Sequence, residues 1–167
     1  RMRLDMASVD FRQVVDEVVR STRSMMDGKK QTFIQNLVPD LPAVRADQIR
    51  LSQVLTNLVV NAIQAMPRGG TLTLRAAVVP LDRLVAITRH GEGSTLPRPV
   101  ARIAISDSGP GIPPEHLDRI FEPYFTTKES GTGLGLAIAR QIAVDHGGSL
   151  TCESTPRVGT IFRLSLP

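Results

Sequence analysis

The chain is poor in aromatic side chains and cysteine. Its 167 residues include no tryptophan, one tyrosine, five phenylalanines and one cysteine. A single cysteine excludes a disulfide within the chain, and Cys152 stands in an apparent strand, where we interpret it as a small buried hydrophobic side chain. The net charge of +4 would permit nucleic-acid binding, but few rings are available to stack on bases. We therefore expect no direct contact with nucleic acid.

Long hydrophobic runs are also absent. No apolar stretch approaches the roughly 20 residues that span a bilayer, and the charged start RMRLDMASVD lacks the apolar segment of a signal peptide. We expect a cytoplasmic fragment without membrane contact, although its parent protein could still be membrane-anchored. Hydrophobic residues at 41% and charged residues at 22% are typical of one globular domain of this length.

Apolar periodicity and chain breakers predict alternating helices and strands. Helices are predicted over 11–28, 48–66, 113–119 and 133–146, and strands over 31–37, 71–79, 101–107, 149–154 and 160–166. Several strand pairs have short connections, which favours a mixed, mostly antiparallel sheet with helices packed on one face. The predicted fold class is thus a two-layer α/β sandwich. We interpret the link over 80–100, which contains Gly91, Gly93, Pro97 and Pro99, as a mobile insertion without an assigned function.

Two asparagines stand one helical turn apart. Asn57 and Asn61 share a face of the helix over 48–66, although asparagine is a poor residue for a helix interior. Their amide oxygens would suit Mg²⁺, which prefers hard oxygen ligands and takes further ligands from phosphates. The alternative is that both amides hydrogen-bond a neighbouring loop.

The segment DSGPGI follows the predicted strand over 101–107. Gly109 and Gly111 would let the backbone turn tightly and approach a flat ring, which Ile112 could cover. Asp107 could accept a hydrogen bond from an exocyclic amine, and this would select adenine over guanine. A purely structural turn is the alternative.

A glycine-rich loop precedes the next helix. It carries three glycines at alternate positions, Gly131, Gly133 and Gly135. They would bring backbone N–H groups to a helix amino end, where the dipole favours phosphate. The loop is neither a P-loop nor a dinucleotide-binding turn. Lys128, Ser130 and Thr132 could reach phosphate oxygens, although a solvated surface charge explains Lys128 equally well.

Together these segments resemble the catalytic ATP-binding domain of sensor histidine kinases. QVLTNLVVNAIQAM is similar to the N box, DSGPGI to the G1 box, FEPYFTTK to the F box and GTGLGLAIAR to the G2 box. This is the Bergerat-type fold shared with type II topoisomerases, mismatch-repair ATPases and some chaperones. FEPYFTTK followed by GTGLGL is highly specific to histidine kinases, and the short lid with NAIQAM is most similar to the nitrogen-regulation subgroup.

The resemblance implies a domain organisation and a role for each motif residue. Residues 10–167 would be the catalytic domain, and residues 1–9 the remnant of a linker from an upstream dimerisation and phosphoacceptor domain. Asn61 would coordinate Mg²⁺, Asn57 and Lys128 would act at the phosphates, and Asp107 would bind the adenine amine with support from Thr160 through a water. The implied ATP-binding residues are Asn57, Asn61, Asp107, Gly109, Gly111, Ile112, Tyr124, Lys128, Ser130, Gly131, Thr132, Gly133, Leu134, Gly135, Leu136 and Thr160.

Other residues of these boxes also carry expectations. Phe121, Tyr124 and Phe125 would anchor the lid and face the partner domain. Gln64 departs from the family, in which many members have a phosphate-contacting lysine, and Lys128 is the best substitute.

The histidines and Asn57 bear on the reaction. Hydrolytic relatives carry a glutamate general base at the position of Asn57, and an amide cannot take that proton. This favours transfer to a histidine by positioning and charge neutralisation.

His90, His116 and His146 do not stand in a phosphoacceptor motif. We expect His116 on a helix surface and His146 at a helix end, where a positive charge would suit the dipole.

The predicted function is therefore shared between two domains. This chain would bind Mg-ATP and donate the γ-phosphate to a histidine on a separate helical domain of the same kinase. The receiver domain of a response regulator would then take the phosphoryl group. The alternatives are a serine kinase of the anti-sigma type and a degenerate nucleotide-binding regulatory module.

Overall fold

The computed structural model describes residues 3–79, 100–128 and 131–167. Most of the link interpreted as a mobile insertion, together with Ser130, lies outside the described residues. The helices of these ranges are α1 (Phe11–Gly28), α2 (Gln48–Ala65), α3 (Pro114–Leu117) and α4 (Gly135–Asp145). The strands are β1 (Ala7–Val9), β2 (Gln31–Leu37), β3 (Val44–Ala46), β4 (Gly70–Val79), β5 (Val100–Asp107), β6 (Ser149–Thr155) and β7 (Gly159–Leu166).

Five strands form the main sheet in the order β2-β4-β5-β7-β6. β2 runs parallel to β4, and each of the other neighbouring pairs is antiparallel. In β4, buried Leu72 and Leu74 alternate with the more exposed Thr71 and Thr73, so one face of the sheet is apolar and the other is polar. The buried face packs against the helices. The predicted two-layer α/β sandwich with a mixed, mostly antiparallel sheet is confirmed.

Helix α2 lies at the centre of the helical layer. It packs against α1, α4 and β5, and its apolar residues recur at helical spacing and are buried. Asp47 caps its amino end by accepting a hydrogen bond from the Arg50 N–H to Oδ1, at 3.1 Å. Gln31 of β2 closes the other end, because its Nε2 donates to the carbonyls of Ile63 and Met66, both at 2.8 Å. The helix is therefore held at both ends.

None of the helices in the described ranges is long and apolar enough to cross a membrane.

Two short strands were not predicted from the sequence. β1 pairs antiparallel with β3, and Val9 lies opposite Val44, with both side chains buried. Asp5, which lies two residues before β1, donates its backbone N–H to Oδ2 of Asp47, at 3.0 Å. The segment that we interpret as a linker remnant thus contacts the capping residue of α2, and its assignment as a linker stays a prediction.

His146 lies at a helix end as predicted, directly after α4, but its contacts do not suit the positive charge expected there. The side chain is buried, and its Nε2 accepts a hydrogen bond from the Asp47 N–H, at 3.0 Å. Its Nδ1 lies 2.8 Å from the carbonyl oxygen of Ile142. Because Nε2 accepts, the proton is on Nδ1, which donates to Ile142, and the ring is neutral. His146 thereby joins the end of α4 to the start of α2.

We predict that His146→Leu lowers the free energy of unfolding by about 1–3 kcal/mol, because the buried Asp47 N–H loses its acceptor. Denaturant unfolding measures this difference. Gln141→Ala is the matched control, since Gln141 lies on the same helix and its side-chain hydrogen bond to Asp145 is exposed. That control should change stability by no more than about 0.5 kcal/mol. Equal stabilities of the two variants would contradict a structural role for the buried imidazole.

Candidate functional site

A cavity of about 440 Å³ lies between α2, the segments 107–120, 125–128 and 131–136, and Thr160. Its volume falls within the range of roughly 300–1,000 Å³ that is usual for small-molecule sites. Most of the motif residues identified in the sequence meet here. Parts of the chain that are distant in sequence therefore build one site.

The α2 wall of the cavity carries three amide side chains on successive turns, Asn57, Asn61 and Gln64. Asn57 Nδ2 donates to the carbonyl oxygen of Gly135 at 3.2 Å, a loop contact of the kind considered as the alternative for this pair. Asn61 Oδ1 instead accepts a hydrogen bond from Nζ of Lys128, at 2.8 Å. The two asparagines thus bind different segments of the opposite wall.

Lys128 reaches across the cavity to α2. Besides Asn61, its Nζ contacts Gln64 Oε1 at 2.8 Å. Burial, together with the charge of Lys29, lowers the pKa of Lys128. The side chain is half-buried and hydrogen-bonded, so it is not the freely solvated surface charge that was the alternative for this residue.

Asp107 is buried at the end of β5. Its Oδ1 accepts a hydrogen bond from the Gly109 N–H, at 2.9 Å. Burial raises the pKa of the Asp107 carboxyl, while hydrogen bonds from the backbone of Gly109 and Thr160 oppose that rise. Nearby Gly111 has a φ of +78°, and a Cβ there would lie 2.5 Å from the carbonyl oxygen of Thr155. The turn after Asp107 therefore packs directly on the end of β6, as only glycine allows.

Ser154 joins this turn to β7, and sequence reasoning missed it. Its Oγ accepts from the Ile112 N–H at 2.7 Å and lies 3.1 Å from the Gly159 carbonyl oxygen and 2.9 Å from Thr160 Oγ1. Because the serine has one proton and a carbonyl can only accept, Ser154 donates to Gly159 and Thr160 donates to Ser154. The oxygen of Thr160 keeps its acceptor capacity toward the cavity. Ser154 belongs to no motif, and only the pairing of β6 with β7 could have indicated it.

The glycine-rich loop is attached to the F-box segment through its backbone. Tyr124 donates its N–H to the Gly133 carbonyl oxygen at 2.8 Å, and both residues have positive φ, +68° for Tyr124 and +73° for Gly133. Helix α4 begins at Gly135, two residues later than predicted, because Gly133 is not helical. The loop and the F-box turn are thus one interlocked unit.

The aromatic residues of the F box divide into two groups. Phe121 packs edge-on against Phe162 with ring centroids 6.3 Å apart, and Phe125 packs edge-on against His116 at 5.4 Å. Both phenylalanines are partly buried against the core. Tyr124, in contrast, is 76% exposed. The two phenylalanines anchor the segment, and the tyrosine ring faces outward.

The lining of the cavity contains most of the predicted binding residues. They are Asn57, Asn61, Asp107, Gly111, Ile112, Lys128, Gly131, Thr132, Gly133, Gly135, Leu136 and Thr160. Gly109, Tyr124 and Leu134 are not part of the lining, and Ser130 lies outside the described residues. Gly109 shapes the site indirectly through its hydrogen bond to Asp107, whereas Tyr124 is turned to solvent.

Further lining residues were not predicted as site residues. They are Val60, Gln64, Ala65, Pro110, Pro113, His116, Ile120, Phe125, Thr126 and Thr127. Val60, Gln64 and Ala65 stand three or four positions from an asparagine of α2, so helical spacing could have identified them. His116 lines the cavity rather than lying only on a helix surface.

The donor set of the cavity fits a hard metal ion that brings its own ligands. Asn61 supplies an amide oxygen, a ligand type that Mg²⁺ accepts. No group of three or more His, Cys, Asp and Glu side chains in the described ranges could hold a metal ion. A metal at Asn61 would therefore need most of its coordination from phosphates and water.

We predict that Asp107→Asn does not lower the free energy of unfolding at neutral pH. The folded-state pKa of Asp107 is raised, so stability falls as the pH rises from the unfolded-state pKa to the folded-state pKa, and the full cost is present above the latter. Asparagine removes the buried charge and keeps an oxygen for the Gly109 N–H. Denaturant unfolding should show equal or greater stability for the variant, with any advantage shrinking as the pH falls and Asp107 protonates. A large loss of stability would indicate a structural turn instead.

We predict that Gly133→Ala destabilises the domain, because a Cβ at Gly133 would lie 2.4 Å from the carbonyl carbon of Tyr124 at a φ of +73°. Left-handed strain alone costs about 1–3 kcal/mol, and the clash adds to it. Gly135→Ala is the matched control, since a Cβ there meets no atom within 4 Å. It should leave stability unchanged or raise it by up to ~1 kcal/mol. Thermal unfolding compares the two, and a reversed order would contradict the interlocked geometry.

The chain is similar to a known protein family and to several known proteins. A family model described as histidine kinase-, DNA gyrase B-, and HSP90-like ATPase matches residues 46–167. The sensor histidine kinase ZraS of Klebsiella oxytoca is 35% identical over 160 residues, which are 96% of this chain and 31% of that protein. The sensory histidine kinase/phosphatase NtrB of Rhodobacter capsulatus is 35% identical over 164 residues, 98% of this chain and 44% of that protein. The chain thus spans less than half the length of either relative.

Solved structures of histidine kinases share the fold. The catalytic domain of histidine kinase ThkA superposes with a TM-score of 0.79 at 30% identity, over 98% of this chain and 96% of that domain. Full-length ShkA in complex with AMPPNP gives 0.81 at 26% identity, over 99% of this chain and 32% of that one. ThkA in complex with the response regulator protein TrrA gives 0.73 at 28% identity, over 97% and 41% of the two chains.

The family model covers most of the chain, and the ThkA catalytic domain is matched over nearly its whole length. The chain therefore belongs to the family of histidine kinase-, DNA gyrase B- and HSP90-like ATPases, and within it to the ATP-binding catalytic domains of histidine kinases.

Proposed function

We propose that this domain binds Mg-ATP in the cavity and donates the γ-phosphate to a histidine on a separate helical domain of its parent kinase. The observation that carries the proposal is the arrangement of the cavity, where Asp107, Asn61, Lys128 and the glycine-rich loop converge. Each supplies what a different part of Mg-ATP requires.

The adenine ring would lie beside Asp107. Its carboxylate is buried and oriented by the Gly109 N–H, so it can accept a hydrogen bond from the adenine amine. Thr160 lies opposite Asp107 in the register of β5 with β7, and its hydroxyl keeps acceptor capacity for a water that contacts the ring. Guanine has a carbonyl where adenine has the amine, so the carboxylate disfavours it.

The triphosphate would lie at the amino end of α4. Gly131, Thr132 and Gly133 line the cavity there, and helix amino ends favour phosphate. Lys128 would bind phosphate oxygens, and Asn61 would contribute an oxygen to the Mg²⁺ that the phosphates hold. Ser130 remains a predicted contact.

Transfer to a histidine is favoured over hydrolysis by the chemistry of Asn57. Its amide cannot take a proton from water, and its Nδ2 already donates to Gly135. A histidine nitrogen needs no such base to attack the γ-phosphorus as ADP leaves. Catalysis then depends on position and on charge neutralisation, which is typical of phosphoryl transfer.

This function requires a phosphoacceptor domain and a response regulator as partners. The acceptor histidine would lie on a dimerisation domain that the linker at residues 1–9 joins to this one, in the cytoplasm where ATP is available. The complex of ThkA with TrrA supports a response regulator as the next phosphoryl acceptor. Exposed Tyr124 is suited to contact the helical domain. No observation favours the anti-sigma-type serine kinase, since the relatives above are named histidine kinases.

Calorimetric titration with ATP and GTP, each with and without Mg²⁺, tests the binding step. We predict binding of ATP but not GTP, and an ATP affinity about 1–3 kcal/mol weaker in Asp107→Asn. Asn61→Ala should reduce the effect of Mg²⁺ on ATP affinity while ATP still binds without metal. Equal affinity for both nucleotides would contradict the adenine site, and an unchanged metal dependence would make Asn61 structural.

The transfer step is tested by adding the parent's dimerisation domain in trans with γ-labelled ATP. Acid-labile label on that domain's histidine is the expected result. Tight ATP binding without transfer or hydrolysis would instead indicate the degenerate regulatory module.

A further inference from the structure

Lys128 brings a positive charge to the cavity. Among the lining residues that the structure describes, it is the sole lysine or arginine. A triphosphate carries several negative charges, so the position of this one ammonium determines how much of that charge the protein neutralises. The residues that hydrogen-bond the Lys128 ammonium are therefore relevant to nucleotide binding.

Two amide oxygens of α2 hold the ammonium. Nζ of Lys128 lies 2.8 Å from Asn61 Oδ1 and 2.8 Å from Gln64 Oε1. These residues stand three apart on one helix, and the lysine reaches them from the opposite wall, more than 60 positions away along the chain. The contact thus fixes a side chain of the lid segment, the segment that contains Lys128, against α2, which is held at both ends.

The two amides have different consequences for a bound nucleotide. Asn61 is also the proposed ligand of Mg²⁺, and a divalent ion at its Oδ1 would repel the ammonium from the same oxygen. Gln64 has no such competing role. It is exposed at the solvent side of the cavity, where it can keep its bond to Lys128 while the phosphates and metal are bound.

We propose that Gln64 is a positioning residue, which keeps the Lys128 ammonium over the phosphate end of the cavity. This inference rests on the proposed binding of Mg-ATP. A glutamine suits the task because its oxygen attracts the ammonium without cancelling its charge. A glutamate would hold Lys128 more strongly, but the pair would be neutral and would no longer attract phosphate.

The geometry makes the two side chains interchangeable. Since Nζ and Oε1 are in direct contact, exchanging the two residues puts an ammonium on α2 and an amide on the lid segment, with the charge in nearly the same place. The exchange therefore tests whether the charge can act from either wall, while Gln64→Ala and Gln64→Glu test the positioning role itself.

The experiment measures the Kd of ATP in the presence of Mg²⁺ for wild type and variants, with thermal unfolding of each as a check of folding. Lys128→Gln should weaken binding about 10-fold, which corresponds to ~1.4 kcal/mol. Gln64→Ala should weaken it about 3-fold, because the contact is exposed and partly screened. The exchange variant Gln64→Lys/Lys128→Gln should return to within about 3-fold of wild type.

Gln64→Glu tests the charge directly. It should weaken ATP binding more than Gln64→Ala does, with a loss that shrinks at high salt. Gln53→Glu is the matched control, because it makes the same change on α2 outside the cavity lining and should have little effect.

Two outcomes would overturn the inference. One is an exchange variant as weak as Lys128→Gln, and the other is a Gln64→Glu variant that binds ATP as wild type does. Either result, with ATP binding intact in wild type, removes the role of Gln64 but leaves the proposed function standing. Failure of wild type to bind ATP would instead remove the proposed function itself.

Discussion

The site depends on the fixed position of α2. This helix carries the three cavity amides, and both of its ends are tied to other elements by buried hydrogen bonds. Asp47 caps the amino end, where it also accepts a hydrogen bond from the Asp5 N–H and donates one to His146. Gln31 of β2 closes the carboxyl end. The junction with His146 also sets α4 against α2, so the glycine-rich loop before α4 is placed relative to the same helix. A displacement of α2 would therefore move both walls of the cavity.

Close backbone contacts shape the rest of the cavity. The turn after Asp107 rests on the end of β6 at Gly111, and the glycine-rich loop rests on the F-box turn at Gly133. At both positions a side chain would collide with backbone, which cannot shift as a flexible side chain can. These glycines therefore allow segments without regular structure to hold a defined shape at the cavity wall.

Local patterns in the sequence predicted the long helices and the main strands, because each depends on spacing within one element. Together with the family resemblance they indicated just over half of the cavity residues. The pairing of β1 with β3 could not be predicted, since three-residue strands have no periodicity and their partners are distant in sequence. Ser154 was not predicted for a similar reason, because its role depends on hydrogen bonds to residues of two other segments. His146 was misjudged because the helix end alone suggested a charge, whereas its neutral state is set by Asp47, 99 positions away.

The distribution of charge along the cavity links the geometry to the chemistry. A carboxylate stands at the proposed adenine end, neutral amides line the α2 wall, and the ammonium of Lys128 lies over the proposed phosphate end. Because Asn57 and Gln64 are neutral, no carboxylate there repels the triphosphate or activates a water molecule. Under the proposed function, such a domain would hold the γ-phosphate without hydrolysing it until a second domain brings the nucleophile.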